Sequence, residues 1–132
     1  MSLFLPDTNA CSQFMRGHPA LVARWLDDAP SLRLSSIVIA ELEYGAEKIS
    51  PSRQRVRLDA LVATLPHEPF TLADAIEFGR LRTFLARRGE LIGPYDLLIA
   101  AQALRLGATI VTNNHREFSR VPGLKVEDWQ SA

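Results

Sequence analysis

A chain of 132 residues, 47% of them hydrophobic, is long enough for one domain spanning residues 1–132, and it needs neither disulfides nor a structural metal to fold. Its 15 basic and 15 acidic side chains leave no net charge, which argues against a strong non-specific nucleic-acid binder but not against local basic surfaces. The single cysteine, Cys11, excludes an internal disulfide, and no apolar run approaches the roughly 18 residues of a membrane span, so we expect a cytoplasmic protein.

Short apolar segments alternate with helical patterns along the chain. The sequence predicts strands at 3–5, 33–35, 66–70, 109–112 and 124–126, and helices at 8–16, 20–28, 36–48, 52–64, 72–88 and 94–106. Pro51 suits the first turn of the fourth helix, Thr71 can cap the fifth, and Gly89 and Gly107 suit the ends of the last two. Strands separated by helices predict an α/β protein with a mainly parallel sheet covered on both faces.

Acidic residues that follow strands are the first candidates for a site, because ligands of such folds bind beyond the carboxyl ends of the strands. Asp7 comes directly after the first predicted strand. Its alternative role is to cap the helix that begins beside it, since Asp accepts hydrogen bonds from the free N–H groups of a helix start. The two roles are compatible.

Glu41 lies within the third predicted helix and is predicted to face inward. It shares a stripe with Ile37 and Tyr44, away from the polar residues of the helix. A Glu facing the core must be ion-paired, protonated or bound to a metal, because its burial otherwise costs several kcal/mol. The alternative to a metal is a buried salt bridge to an Arg.

Asp96 lies in the first turn of the sixth predicted helix, opposite the polar positions Gln102 and Arg105. It is therefore also predicted to point inward. The alternative is that the carboxylate only complements the positive end of the helix dipole.

Further polar residues follow the strand at 109–112. Asn114 offers an amide oxygen that binds a cation or its water weakly, and Glu117 offers a full charge three residues later. Asn113 is interpreted as part of a polar turn.

Carboxylates gathered at one end of a sheet repel each other, by about 4 kcal/mol per pair at a separation of about 4 Å and an effective dielectric constant near 20. A shared proton can offset the repulsion, and a divalent cation does so more fully. Oxygen ligands without Cys or a well-placed His favour Mg²⁺ or Mn²⁺. The residues predict such an ion, with Asp7, Glu41 and Asp96 as its ligands.

Basic residues form two clusters: Lys48, Arg53, Arg55 and Arg57, and Arg80, Arg82, Arg87 and Arg88. Each can contact an RNA backbone, and each can equally be the solvated face of a helix.

The ordered motifs of the chain resemble PIN-domain proteins, and more narrowly VapC-type toxins of bacterial toxin–antitoxin pairs. The resemblance covers nearly the whole chain. It is carried by Leu5-Pro6-Asp7-Thr8-Asn9, Ala40-Glu41-Leu42-Glu43-Tyr44-Gly45, Gly93-Pro94-Tyr95-Asp96-Leu97, Val111-Thr112-Asn113-Asn114-His115-Arg116-Glu117-Phe118 and Val121-Pro122-Gly123-Leu124.

The resemblance implies a three-layer α/β/α sandwich, Mg²⁺ or Mn²⁺ at the acidic cluster, endoribonuclease activity, homodimers, and an antitoxin partner whose C-terminal arm blocks the site. Asp7, Glu41 and Asp96 fall on the acidic positions of the family. Asn114 stands at a fourth position that is often Asp, with Glu117 nearby. The motifs at 93–96 and 112–118 resemble those of toxins that cut initiator tRNA, which we carry over as a hypothesis.

Two other functions remain open at this point. A PIN-like module with a weak or dead site would act by binding RNA or a partner protein, and Asn114 favours it. A phosphoacceptor regulatory domain also gathers acids around Mg²⁺, but it needs a suitably placed Lys, and neither Lys48 nor Lys125 follows an apolar strand as required.

Overall fold

A computed structural model of the chain describes residues 2–48 and 52–131, so the predicted helix start at Pro51 lies outside the described residues. The five predicted strands and six predicted helices are confirmed, with ends shifted by a few residues, and a short seventh helix was not predicted. The elements are β1 (Phe4–Pro6), α1 (Thr8–Met15), α2 (Pro19–Asp27), β2 (Leu34–Ser35), α3 (Ser36–Lys48), α4 (Ser52–Thr64), β3 (His67–Glu68), α5 (Leu72–Arg87), α6 (Pro94–Leu106), β4 (Thr109–Val111), α7 (His115–Phe118) and β5 (Lys125–Glu127).

All strand pairs are parallel, as predicted. β1 pairs with β4 and β4 with β5, while β2 pairs with β3. A bridge between Phe4 and Leu32 joins the two parts, and the N–H of Arg33 donates to the carbonyl oxygen of Phe4 at 3.0 Å. The strand order is therefore β3-β2-β1-β4-β5, and helices cover the sheet in the expected three-layer α/β/α arrangement.

The central strands are buried on both faces, which explains why they are short apolar runs rather than alternating patterns. Leu5 of β1 and Ile110 of β4 are fully buried. α6 is buried along most of its length, and Gly107, at a φ of 67°, ends it in the left-handed conformation that glycine adopts without strain.

The predicted orientation of α3 is wrong. Its core face consists of Val38, Leu42 and Ala46, whereas Tyr44 is 67% exposed. Glu41 therefore does not point into the core; it is half-buried at the rim of the molecule. Apolar side chains surround most of this helix, so their spacing did not select one face.

The predicted solvent face of α6 is also wrong at Gln102, which is fully buried. Its Oε1 accepts a hydrogen bond from the Ser35 hydroxyl at 2.6 Å, and its Nε2 donates to the carbonyl oxygens of Glu68 and Pro69 at 3.1 and 3.2 Å. Gln102 thus ties α6 to the ends of β2 and β3.

A buried ion pair that the sequence did not reveal joins α5 to α6. Asp74 is fully buried, and Arg105 donates to both of its carboxylate oxygens, with an Nη2–Oδ2 distance of 2.9 Å. Asp74 also completes a capping box with Thr71 at the start of α5. The inward orientation of Asp96 was predicted from the expectation that Gln102 and Arg105 face solvent. Both of these side chains bond to the protein instead, so that reasoning does not hold, and Asp96 itself is half-buried.

No helix in the described part of the chain combines the length and the apolar character of a membrane span.

Candidate active site

Four carboxylates meet at the carboxyl ends of β1 and β4. Asp7 follows β1, Glu41 lies on α3, Asp96 lies in the first turn of α6, and Glu117 lies on α7 just after β4. The first three line an open cleft of about 530 Å³, here called the acidic cleft. The charges of Asp7, Glu41 and Glu117 all act on Asp96, which shows that the four groups form one cluster.

Asp7 is fixed in place by the elements beside it. The N–H of Ala10 donates to its Oδ1 at 2.8 Å, so Asp7 caps α1, and a hydrogen bond links it to Thr112 after β4. Burial raises the pKa of Asp7, the two hydrogen bonds oppose the rise, and the charge of Glu41 adds to it. The capping role and a place in the cluster therefore coexist.

Glu41 reaches the cleft from the rim of α3. The Thr8 hydroxyl donates to its Oε1 at 2.6 Å. The alternative of a salt bridge to an Arg is not found among the described residues; Arg55 pairs instead with Glu43, the second Glu of the same helix, at 2.7 Å. Glu41 thus carries a charge that no basic side chain in the described chain neutralises.

Asp96 has the most perturbed carboxyl group of the cluster. Burial, then the charges of Asp7, Glu117 and Glu41, and finally a hydrogen bond with Glu117 raise its pKa to about 7. Glu117 is itself held by the N–H of Gly93, which donates to its Oε1 at 2.8 Å. The residue that precedes α6 therefore positions Glu117 against Asp96.

Asn114 positions the short helix α7. Its Oδ1 accepts a 3.4 Å hydrogen bond from the N–H of Glu117, and its own N–H donates to the Thr112 hydroxyl at 2.9 Å. Asn114 also lines the acidic cleft. It thus fixes the backbone at Glu117, three residues later, through its amide oxygen.

Three further polar residues line the acidic cleft, and sequence reasoning missed their place there. Asn9 donates from Nδ2 to Oδ1 of Asn113 at 2.9 Å, so Asn113 is more than part of a turn, and Ser12 completes the wall. The signal for Ser12 was its position one helical turn after Thr8.

The chemistry of the cluster fits a hard divalent cation. Its donors are carboxylate and amide oxygens, and the pKa values of Asp7 and Asp96 are raised first by burial and then by the charges of neighbouring carboxylates. Within residues 2–48 and 52–131 no three acidic, histidine or cysteine side chains already stand as ligands around one point.

The side chains of the two basic clusters lie in different surroundings. In the first, Arg55 is engaged by Glu43 and Asp59, while Lys48 lies over the Tyr44 ring. The second lies along α5, where three of its members border a shallow depression: Arg80, Arg87 and Arg88. Neither cluster forms part of the acidic cleft.

Comparison with known proteins agrees with this geometry. Residues 4–124 match the PIN domain. The tRNA(fMet)-specific endonucleases VapC of Salmonella typhimurium (strain LT2) and Shigella flexneri are 38% and 40% identical to the chain, and each match covers 98% of this chain and 99% of the relative. Among solved structures, DNA-bound VapBC from Salmonella typhimurium gives a TM-score of 0.92 at 38% identity, covering 98% of this chain and 99% of that one. The chain therefore belongs to the PIN-domain family, and its relatives place it among the VapC proteins of that family.

Proposed function

We propose that this chain is the endoribonuclease toxin of a toxin–antitoxin pair, dependent on Mg²⁺ or Mn²⁺, with initiator tRNA as its substrate. The observation that carries the proposal is the cluster of four carboxylates at the carboxyl ends of β1 and β4, in a chain that matches tRNA(fMet)-specific endonucleases over their full length. PIN ribonucleases generally depend on divalent metals. The same comparisons support a ribonuclease rather than a binding module with a dead site.

Asp7, Glu41 and Asp96 are the residues that would hold the cation. A divalent cation bound there supplies Lewis-acid stabilisation of negative charge on the phosphate. Thr112 and the N–H of Ala10 fix Asp7, and the Thr8 hydroxyl fixes Oε1 of Glu41. These hydrogen bonds orient the donors before any ligand enters.

Water is the nucleophile in this proposal. Because Thr8 engages Oε1 of Glu41, the second oxygen, Oε2, is left either to hold the cation or to accept a hydrogen bond from the attacking water. Glu117 keeps Asp96 in a strongly negative environment, which favours a cation beside it. Attack by water leaves a 5′-phosphate and a 3′-hydroxyl on the products.

Total tRNA incubated with the purified chain tests the proposal, in Mg²⁺, in Mn²⁺ and in EDTA, beside the variant Asp96→Asn. We expect discrete products that need both a cation and Asp96, with ends that map to initiator tRNA and carry a 5′-phosphate. A 2′,3′-cyclic phosphate would contradict the water mechanism. Products from other tRNAs only would contradict the substrate, and no cleavage by a folded chain with any cation would contradict the activity.

The proposed partner is an antitoxin of the VapB type, since solved VapBC complexes from Salmonella typhimurium and Rickettsia felis share this fold. Co-expression with the product of the adjacent gene should yield a complex that no longer cuts tRNA. A homodimer of the chain is part of the same proposal, and light scattering on the purified chain measures it.

A further inference from the structure

We propose that a second cleft beside the acidic cleft binds the unpaired bases next to the scissile phosphate, with Tyr44 and Tyr95 as stacking surfaces. The inference rests on the proposed ribonuclease function and specifies how its substrate is held. The two tyrosines are the only ones in the sequence. They lie 51 residues apart in two different motifs, yet both line this cleft of about 450 Å³, here called the tyrosine cleft.

Both rings are open to solvent. Tyr44 on α3 is 67% exposed, and Tyr95 in the first turn of α6 is 52% exposed. Neither ring belongs to the buried core, and the two lie together in one cleft rather than scattered singly over the surface. Exposed aromatic rings on a nucleic-acid-binding surface are the usual stacking partners of unpaired bases, because every base has a flat π-face.

The tyrosine cleft is continuous with the acidic cleft. Thr8, Ser12 and Glu41 line both of them. A nucleotide chain whose phosphate lies at the carboxylates can therefore continue into the tyrosine cleft. Tyr95 is adjacent in sequence to Asp96, and Tyr44 lies three residues after Glu41, so each ring flanks an acid of the site.

The remaining side chains of the tyrosine cleft suit a nucleotide. Lys48 is the positive residue among its lining residues, with Nζ 4.9 Å from the centre of the Tyr44 ring. From its place over the ring, this ammonium group can contact a phosphate of a nucleotide bound there. Gln54 adds an amide that can hydrogen-bond to a base edge. A paired base hides both of its faces in the helical stack, so this arrangement selects an unpaired segment such as a loop.

The test measures kcat and KM on the stem-loop that carries the cut mapped in total tRNA. Tyr44→Leu and Tyr95→Leu keep an apolar side chain but remove the ring, whereas Tyr44→Phe and Tyr95→Phe keep the ring. Phe84→Leu is the matched control, because Phe84 is an exposed ring on α5 outside both clefts. We expect KM to rise about 10-fold for each Leu variant with kcat little changed, and to stay at the wild-type value for the Phe variants and the control.

Abasic nucleotides separate stacking from an indirect effect. For stem-loops that lack the base on one side of the cut, the KM of the wild-type chain should rise about 10-fold. When a Leu variant is combined with the abasic site that faces it, KM should rise no further, because the ring and the base act as a pair.

Several outcomes would overturn the inference. Leu variants that cut like the wild type would show that the rings have no role in binding. An equal rise in KM for the Leu variants on intact and on abasic RNA would show that the rings do not contact those bases. A loss of activity that accompanies a changed mass in light scattering would assign the tyrosine cleft to contact between copies of the chain. Each of these leaves wild-type cleavage intact, whereas a wild-type chain that cuts no RNA overturns the proposed function and this inference together.

Discussion

Within the cluster of acids, Asp96 is the carboxylate whose charge is least compensated by the protein. Asp7 and Glu41 each accept a hydrogen bond from a nearby donor, whereas Asp96 faces three other carboxylates. Its pKa of about 7 means that much of the cation-free chain carries a proton there at neutral pH. Removing this charge relieves repulsion without removing a hydrogen bond on which the fold depends.

Asp96→Asn should therefore stabilise the cation-free chain while it removes activity. We expect the free energy of unfolding in EDTA at pH 8 to rise by about 1 kcal/mol, after allowance for screening by solvent. We also expect cleavage to fall by more than about 100-fold. Urea unfolding followed by tryptophan fluorescence measures the first quantity, and tRNA cleavage measures the second.

Asp27→Asn is the control for that variant, since Asp27 is an exposed carboxylate at the end of α2. It should change neither stability nor activity by a measurable amount. A destabilised Asp96→Asn chain would mean that the carboxylate has a structural role instead.

At the scale of elements, α6 is held by polar contacts on one side and by an ion pair on the other. Gln102 bonds to the ends of β2 and β3, and Arg105 bonds to Asp74 of α5. Since α6 carries Asp96 in its first turn, these contacts also set the position of that acid.

Gln102→Leu should destabilise the chain by about 2–3 kcal/mol, because buried hydrogen-bonding groups at Ser35 and on the Glu68 carbonyl lose their partner. Urea unfolding measures the loss. Gln13→Leu, on the half-buried face of α1, is the matched change and should cost much less. Equal stability of the Gln102 variant and the wild type would show that the cavity accommodates the apolar side chain together with its former partners.

Asp74 gives the chain a predictable response to acid. Burial alone would raise the pKa of Asp74, but the hydrogen bonds from Arg105 and Thr71 outweigh burial and lower it below the ordinary value of 3.8. The unfolded chain then takes up the proton first, so this stabilisation is complete above about pH 5 and is lost as the pH falls through the lowered pKa.

Unfolding of Asp74→Asn and the wild type from pH 7 to pH 3 measures that contribution. We expect the variant to be less stable by about 2 kcal/mol at pH 7. The difference should shrink as the pH drops below 4. A difference that stays constant across this range would show that the carboxylate charge does not contribute.

At the scale of the whole molecule, the site depends on elements that are far apart in sequence but converge at one end of the sheet. The four acids come from the loops and helices that follow β1, β2 and β4 and from the start of α6. A ligand that bridges them should link those elements together and resist global unfolding.

Mg²⁺ or Mn²⁺ should raise the unfolding temperature of the wild-type chain but not that of Asp96→Asn. The free energy of unfolding should rise by about 1.4 kcal/mol when the ion is present at ten times its Kd. Differential scanning calorimetry at constant ionic strength, with NaCl as the control salt, measures the difference. An equal shift in both chains would assign the effect to general screening.

The helices and strands could be predicted well from the sequence because residues close to their ends determine where they begin and stop. Gly107 ends α6 and Thr71 caps α5 through side-chain or backbone geometry that acts within a few residues. Asp7 was expected at the carboxyl end of the sheet because it directly follows the first predicted strand, and Asp96 was a candidate because Pro94 puts it in the first turn of a helix. Their role as metal ligands stays a prediction.

Long-range partners explain what could not be predicted. The Ser35 hydroxyl that Gln102 contacts is 67 residues away, and Arg105 reaches Asp74 across 31 residues. Glu41 lines the acidic cleft, but the inward orientation predicted for it is wrong, since α3 turns Val38 and Leu42 inward. Which face a largely apolar helix buries depends on its neighbours, and its own spacing does not encode them.

Three of the four acids already have one oxygen fixed by a donor of the chain: Asp7 by Ala10, Glu41 by Thr8 and Glu117 by Gly93. The torsional entropy of these side chains was therefore given up during folding, at about 0.5–1.5 kcal/mol for each side chain that is immobilised. Asp96 is instead hydrogen-bonded to the carboxyl group of Glu117, and an entering cation competes with that bond.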